Sequence, residues 1–229
     1  MVRIAAITLS IAAIGIVDDA AMAVEPGAPS AVNVDAGLRE IATVTVQRSA
    51  ERLGRPGGFY RTPKFHIPLP SSLDKAVAVL AANYETSLSV AVEQAINRAA
   101  ESSAQSAGDY LSNLVPKLAL ADPDAILRGP SDAVTAAVKA QTEQAFREAM
   151  RPIVRANLAK AEASVALERM QSRYEDIANV PFVGFDIETY TLESFASAFF
   201  AAMAQEEQNI RSRPSARSTE TLKQLFSDQ

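Results

Sequence analysis

Residues 192–203 read Leu192-Glu193-Ser194-Phe195-Ala196-Ser197-Ala198-Phe199-Phe200-Ala201-Ala202-Met203. Leu192, Phe195, Phe199 and Met203 recur at intervals of three or four, the spacing that brings side chains to one face of an α-helix. The stripe is continuous and bulky in a chain whose apolar content is otherwise mostly alanine, and it lies in the most amphipathic segment, a helix read as 188–212. Such a face must be buried. It is either the core side of a helix packed on other helices, the commoner reason for such a stripe, or the wall of a pocket for an apolar ligand, since aromatic rings and methionine give large, adaptable contact area.

Working outward, the same period recurs along the chain. Val34, Leu38, Ile41 and Thr45 open a helix over 34–53 that stops at Gly54 and the Arg55-Pro56-Gly57-Gly58 breaker. A second helix begins at Ser71 or Ser72 with Leu73, Val77, Leu80 and Tyr84 on one face. A third covers 87–106, with Leu88, Val92, Ala95, Ile96 and Ala99 inward. Pro116 should break or kink a helix over 108–120. Asp122-Pro123 is a helix start with a capping residue followed by proline at the first helical position, and Gly129-Pro130 ends that short helix. A long helix then carries Val134, Val138, Ala145, Phe146 and Met150, with a kink or restart expected at Pro152. Helices over 164–178 and 218–227 complete the set, and 179–186 reads as an apolar loop.

The exception to helical periodicity is Pro63-Lys64-Phe65-His66-Ile67-Pro68-Leu69-Pro70. Its three prolines forbid a helix while Phe65, Ile67 and Leu69 alternate, so 63–70 is an extended arm with one apolar edge. With 6% aromatic residues, no tryptophan and abundant alanine, the fold class is all-α: a single domain over 34–229, six to eight helices with the Pro-rich arm packed across them.

The N-terminus reads as an export signal. Arg3 precedes a 14-residue apolar and small stretch from Ile4 to Val17, followed by Ala21-Met22-Ala23, which sets cleavage after Ala23. Residues 1–23 are thus a signal peptide and 24–33 a flexible leader, and a periplasmic or secreted location follows. Without 1–23, which hold Arg3, Asp18 and Asp19, 21 basic and 25 acidic residues remain, a net charge of −4 that argues against nucleic acid as a partner. No mature segment is long and apolar enough for a membrane span. The chain has no cysteine, so stability must come from packing alone.

Chemistry-bearing patterns are sparse. His66 is the one histidine, which rules out a His-rich zinc centre, and no metal or cofactor is expected. Glu206-Glu207 lacks the Glu-x-x-His partners of a di-iron bundle, and one of the two should face solvent. There is no Gly-x-Ser-x-Gly and no Gly-rich phosphate loop. Arg211, Arg213, Arg217 and Lys223 cluster near the C-terminus.

Several motifs in order resemble a family of bacterial proteins known as domain of unknown function 4197. The arm resembles its PKVxIPLP signature, Asn97-Arg98-Ala99-Ala100-Glu101 its NRAAE, and Asp124 to Gly129 its DAxxILxG. Phe146 to Pro152 resembles its FxPxV region, and Glu206-Glu207 through Ile210-Arg211, Pro214, Arg217 and Leu222 its ending. The resemblance implies an exported, helical, single-domain protein and brings no activity with it. Its charged members, Arg98, Glu101, Glu206, Arg211 and Arg217, are expected to supply a partly buried structural charge network.

The functional expectation is a non-catalytic periplasmic binding or carrier protein for an apolar or lipid-like ligand, with Leu192, Phe195, Phe199 and Met203 as its site. The alternatives are an envelope adaptor whose partner is another envelope protein, and an enzyme of unknown class.

Overall fold

The computed structural model describes residues 33–227. Residues 1–23, read above as a signal peptide, and the expected leader up to residue 32 lie outside the described residues. Among those described there are eight helices and no strand: α1 Val34–Leu53, α2 Asp74–Ala82, α3 Thr86–Leu114, α4 Pro123–Arg128, α5 Ala133–Lys160, α6 Ala163–Ala178, α7 Ile187–Ser212 and α8 Glu220–Leu225. The fold is all-α. Single 3₁₀ turns occupy 71–73, 115–117 and 214–216.

The four long helices α1, α3, α5 and α7 pack around one core. On its periphery α6 lies along α3, α2 on α3 and α6, α4 against α1 and α5, and α8 against α1. Small residues set the spacing. A Cβ on Gly108 would stand 2.5 Å from the Ala50 Cβ, so the α1–α3 contact is closed by glycine meeting alanine. Gly108 therefore does not begin a new helix. α3 runs through it to Leu114, beyond the 106 expected, and Pro116 ends it in a 3₁₀ turn. Pro152 likewise sits inside an unbroken α5, with the exposed Glu148 one turn earlier placing the carbonyl freed by the proline on the wet face. Ala145 also faces solvent, not the core.

Caps follow local chemistry. Asn33, Asp122, Asp186 and Thr219 each accept the backbone N–H three residues on. α2 stops at Ala82, two residues short of Tyr84, which was expected on its buried face. Tyr84 instead adopts φ 63 and is 98% exposed.

The arm lies across the helices. Phe65 and Ile67 are buried and Leu69 half-buried. The Arg52 guanidinium stands 5.1 Å from the Phe65 ring centroid, and the Tyr190 hydroxyl donates to the Pro68 carbonyl at 2.6 Å.

The α4–α5 junction is clipped by one turn of α7. Glu207, 0% exposed, accepts from the backbone N–H groups of Val134 (3.0 Å) and Thr135 (2.7 Å) and from the Thr135 hydroxyl (2.8 Å), so it caps α5 from another helix. Arg211 pairs with it at 2.9 Å and donates to the carbonyls of Leu127 and Ile126 at the end of α4. Glu207→Ala leaves the largely buried Arg211 guanidinium without its counter-ion and two amides without an acceptor, and should lower stability by about 3–5 kcal/mol in urea denaturation. Glu206→Ala, which breaks only the rim pair with Arg52, should cost about 1 kcal/mol.

Candidate functional site

The stripe proposed as a ligand wall lies inside the core. Leu192, Phe195, Phe199 and Met203 are fully buried. Phe146 stands 6.2 Å from Phe195, 5.8 Å from Phe199 and 5.3 Å from Phe200, and Phe59 reaches in from the 54–61 turn to 5.9 Å from Phe195. These are ordinary distances between packed aromatic rings. The surface clefts around α3 are lined by other residues.

The charged motif members do not form one network. Glu206 pairs with Arg52 at 3.2 Å and is largely buried, so neither of the adjacent glutamates is given up to solvent. Arg211 pairs with Glu207. Arg217 donates to the carbonyls of Ile210, Arg211 and Phe226, with its guanidinium 4.8 Å from the Phe226 ring centroid. Among the described residues Glu101 pairs with no cation: its Oε1 accepts the backbone N–H groups of Phe59 and Tyr60, both at 3.1 Å.

Asn97 does for the arm what Glu101 does for the turn. Its Oδ1 accepts from the Ile67 N–H at 3.0 Å and its Nδ2 donates to the Ile67 carbonyl at 2.8 Å, so one buried amide replaces a neighbouring strand. His66 adds a third tie, with Nδ1 3.0 Å from the Tyr60 carbonyl and Nε2 2.9 Å from Glu93 Oε1.

Between Asn97 and Glu101 on the helix, Arg98 points outward. Among the described residues it has no hydrogen-bond or ionic partner, and it borders three adjoining clefts. The first, about 330 Å³, is lined by Gly57, Tyr60, Arg61, Gln94, Arg98 and Glu101. The second, about 440 Å³, runs toward Lys160 and Glu162 at the α5–α6 turn, where Glu162 is held at φ 54. The third is a groove between α3 and α6, about 200 Å³, floored by Leu88, Ala91, Ala95, Val165 and Ala166. Arg169 lines this groove too, and Arg61, Lys160 and Arg169 also lack partners among the described residues. Val165 is 41% exposed although apolar.

A family model described as protein of unknown function (DUF4197) matches residues 28–227. The chain belongs to this family. No curated protein and no solved structure matches. In this DUF4197 chain the Asn-Arg-Ala-Ala-Glu motif thus divides its labour: Asn97 and Glu101 hold irregular backbone, Ala99 and Ala100 are buried, and Arg98 is left for the surface.

Displaced ionisation gathers elsewhere, at the start of α7. The Thr189 N–H holds the Asp186 carboxyl below its ordinary value, Arg155 does the same for Glu188, and Glu188 in turn raises Arg155. Burial pushes the Tyr190 phenol up.

Sequence reading missed the groove because Ala91, Ala95 and Ala166 look like helix filler, and it missed Arg61 and Lys160 because only their tertiary neighbours set them apart. Asn97→Ala should cost about 1–3 kcal/mol by leaving the Ile67 amide and carbonyl unpaired. It should also speed hydrogen exchange at that amide, whereas Arg98→Ala, one residue on, should stay within about 0.5 kcal/mol of the parent.

Proposed function

We propose that this protein is a non-catalytic binding protein of the periplasm whose ligand is lipid-like, and that the α3–α6 groove takes the ligand's apolar part. The observation that carries this reading is an open groove with an alanine, leucine and valine floor, bordered by the Arg98 and Arg169 guanidinium groups, which form no ion pair among the described residues although Glu162 shares the lining. An apolar floor gains by shedding water onto a chain, and Arg98 or Arg169 meets an acidic head at either side. The buried α7 stripe serves this function indirectly, by holding the helices that frame the groove.

Support for a non-catalytic role comes from the same residues. Two carboxylates, Glu101 and Glu162, stand among them, but among the described residues no nucleophile in these clefts is hydrogen-bonded to a base. His66 has both ring nitrogens engaged, by the Tyr60 carbonyl and Glu93, and does not line these clefts. Residues 1–23, read as a signal peptide, support export.

A neutral apolar fluorophore such as N-phenyl-1-naphthylamine tests the groove. It should brighten on binding the parent protein and bind at least about tenfold more weakly, a loss of about 1.4 kcal/mol, to the neutral polar double variant Ala91→Gln/Val165→Asn. Both positions are exposed, so the melting temperature should hold. Equal binding by parent and variant would remove the groove from the account.

A second reading, an envelope adaptor, is favoured by Tyr84. A non-glycine residue at positive φ carries local strain, and here the residue is 98% exposed, so no packing of its ring among the described residues offsets it. A protein partner seated on that ring is the chemistry that would.

A further inference from the structure

The cleft on the other side of Arg98 has a composition the groove does not explain. Its wall begins with a glycine that no other residue replaces without cost. Gly57 sits at φ +85, and a Cβ there would stand 2.9 Å from the Arg61 Cδ and 3.1 Å from its Cγ. The Arg61 stem is therefore laid over Gly57, and the Arg61 N–H donates to the Gly57 carbonyl at 3.1 Å. Gly58 holds the same turn against the end of α1, where a Cβ would meet the Leu53 carbonyl oxygen at 2.3 Å. The turn that carries Arg61 is thus rigid, fixed from below by α1 and from the side by Glu101, whose Oε1 takes the amides of Phe59 and Tyr60.

The polar groups facing this cleft are mostly donors. Arg61 and Arg98 are exposed, lack partners among the described residues, and line it together. The Tyr60 hydroxyl accepts a long hydrogen bond from Gln94 Nε2, 3.4 Å, which leaves its own proton to donate. Gln94 keeps a second N–H. The one carboxylate in the wall, Glu101, has Oε1 already committed to two backbone amides.

Two guanidinium forks, a phenol and an amide exceed what a carboxylate needs, since a single arginine satisfies both its oxygens. A tetrahedral oxyanion, with three or four acceptor oxygens, matches the set. A volume of about 330 Å³ is also roughly ten times the ~30 Å³ that one water takes in the liquid, so a phosphate with a substituent fits better than a bare ion.

We infer that the cleft between the 54–61 turn and α3 is a phosphate-binding site, in which Arg61 and Arg98 clamp a phosphate group with help from Tyr60 and Gln94. The phosphate belongs either to a small soluble molecule or to the head group of a lipid. Because Arg98 also borders the groove, a phospholipid would place its head here and its chain along α3. The site rests on Arg61 and Tyr60, which do not line the groove, and it stands whether or not the groove takes a chain.

Calorimetry at low ionic strength with inorganic phosphate and glycerol 3-phosphate, and flotation with phosphatidylcholine vesicles with and without phosphatidic acid, test the inference. Phosphate or its monoester should bind, and Arg61→Ala and Arg98→Ala should each weaken binding about tenfold or more. Arg61→Lys should weaken it less, because the charge stays and only the fork is lost. Arg213→Ala, which removes a distant cation, should leave it unchanged, as should Ala91→Gln/Val165→Asn. Binding to glycerol 3-phosphate alone identifies a soluble ligand, and binding to phosphatidic acid vesicles but not to phosphatidylcholine identifies a head group; both support the site. No binding to any of these probes, or equal loss in Arg213→Ala as expected from net charge alone, would overturn it. Circular dichroism checks that the exposed arginine variants stay folded.

Discussion

A stretch of chain that carries Pro56, Pro63, Pro68 and Pro70 cannot pair its own backbone as a helix does, yet it is buried here at Gly58, Phe59, Phe65 and Ile67. Each amide and carbonyl taken from water without a partner costs free energy comparable to a lost hydrogen bond. One helix supplies the partners. Along α3, Glu93 reaches His66, Asn97 brackets both polar groups of Ile67, and Glu101 takes two amides of the 54–61 turn. These residues succeed one another every four positions, so they form a single polar row, and Ala104 and Gly108, one and two turns beyond Glu101, carry the same helix face on against Gly54 and Ala50. The arm's path, the burial of Phe65 and Ile67, and the position of Phe59 beneath the α7 rings all follow from that row.

The same device recurs at the other end of the bundle. Glu207 and Arg211, one turn apart on α7, satisfy the start of α5 and the end of α4. A buried ion pair alone is weak evidence of stability, because desolvation offsets its attraction. Here each charge also completes helix-end hydrogen bonds that water cannot reach, and this accounts for a full carboxylate at 0% exposure. In a chain without cysteine, such side-chain ties do what a cross-link would do at the two places where the helical ladder stops.

What sequence alone could read was whatever depends on nearest neighbours. The limits of α1 and α7, the Asp122-Pro123 start and the extended arm came from caps, breakers and periodicity, all short-range effects. Gly108 and Pro152 misled because each is a local breaker overruled by packing, one admitted for the space it gives Ala50, the other tolerated on a wet helix face. Tyr84 misled because a helix ended two residues before its period did. The α7 stripe was legible as an apolar face but not as core or pocket, a choice that turns on what faces it, and Phe146 lies more than forty residues away. The cationic clefts were illegible because their walls come from the 54–61 turn, α3 and the α5–α6 turn, which only the fold brings together.

Function, on this account, is a by-product of that polar row. Asn97 and Glu101 are spent on backbone, which fixes the helix face between them and presents Arg98, unpaired, to clefts on either side. The central claim is that these clefts carry a ligand, and native mass spectrometry of the protein, purified from cells without detergent and followed by organic extraction, addresses it most directly. The account predicts a mass above that of the bare chain, released on extraction as an amphiphile and absent from the protein carrying Arg98→Ala together with Ala91→Gln/Val165→Asn. A protein recovered at its bare mass, or an adduct retained unchanged by that variant, would contradict it.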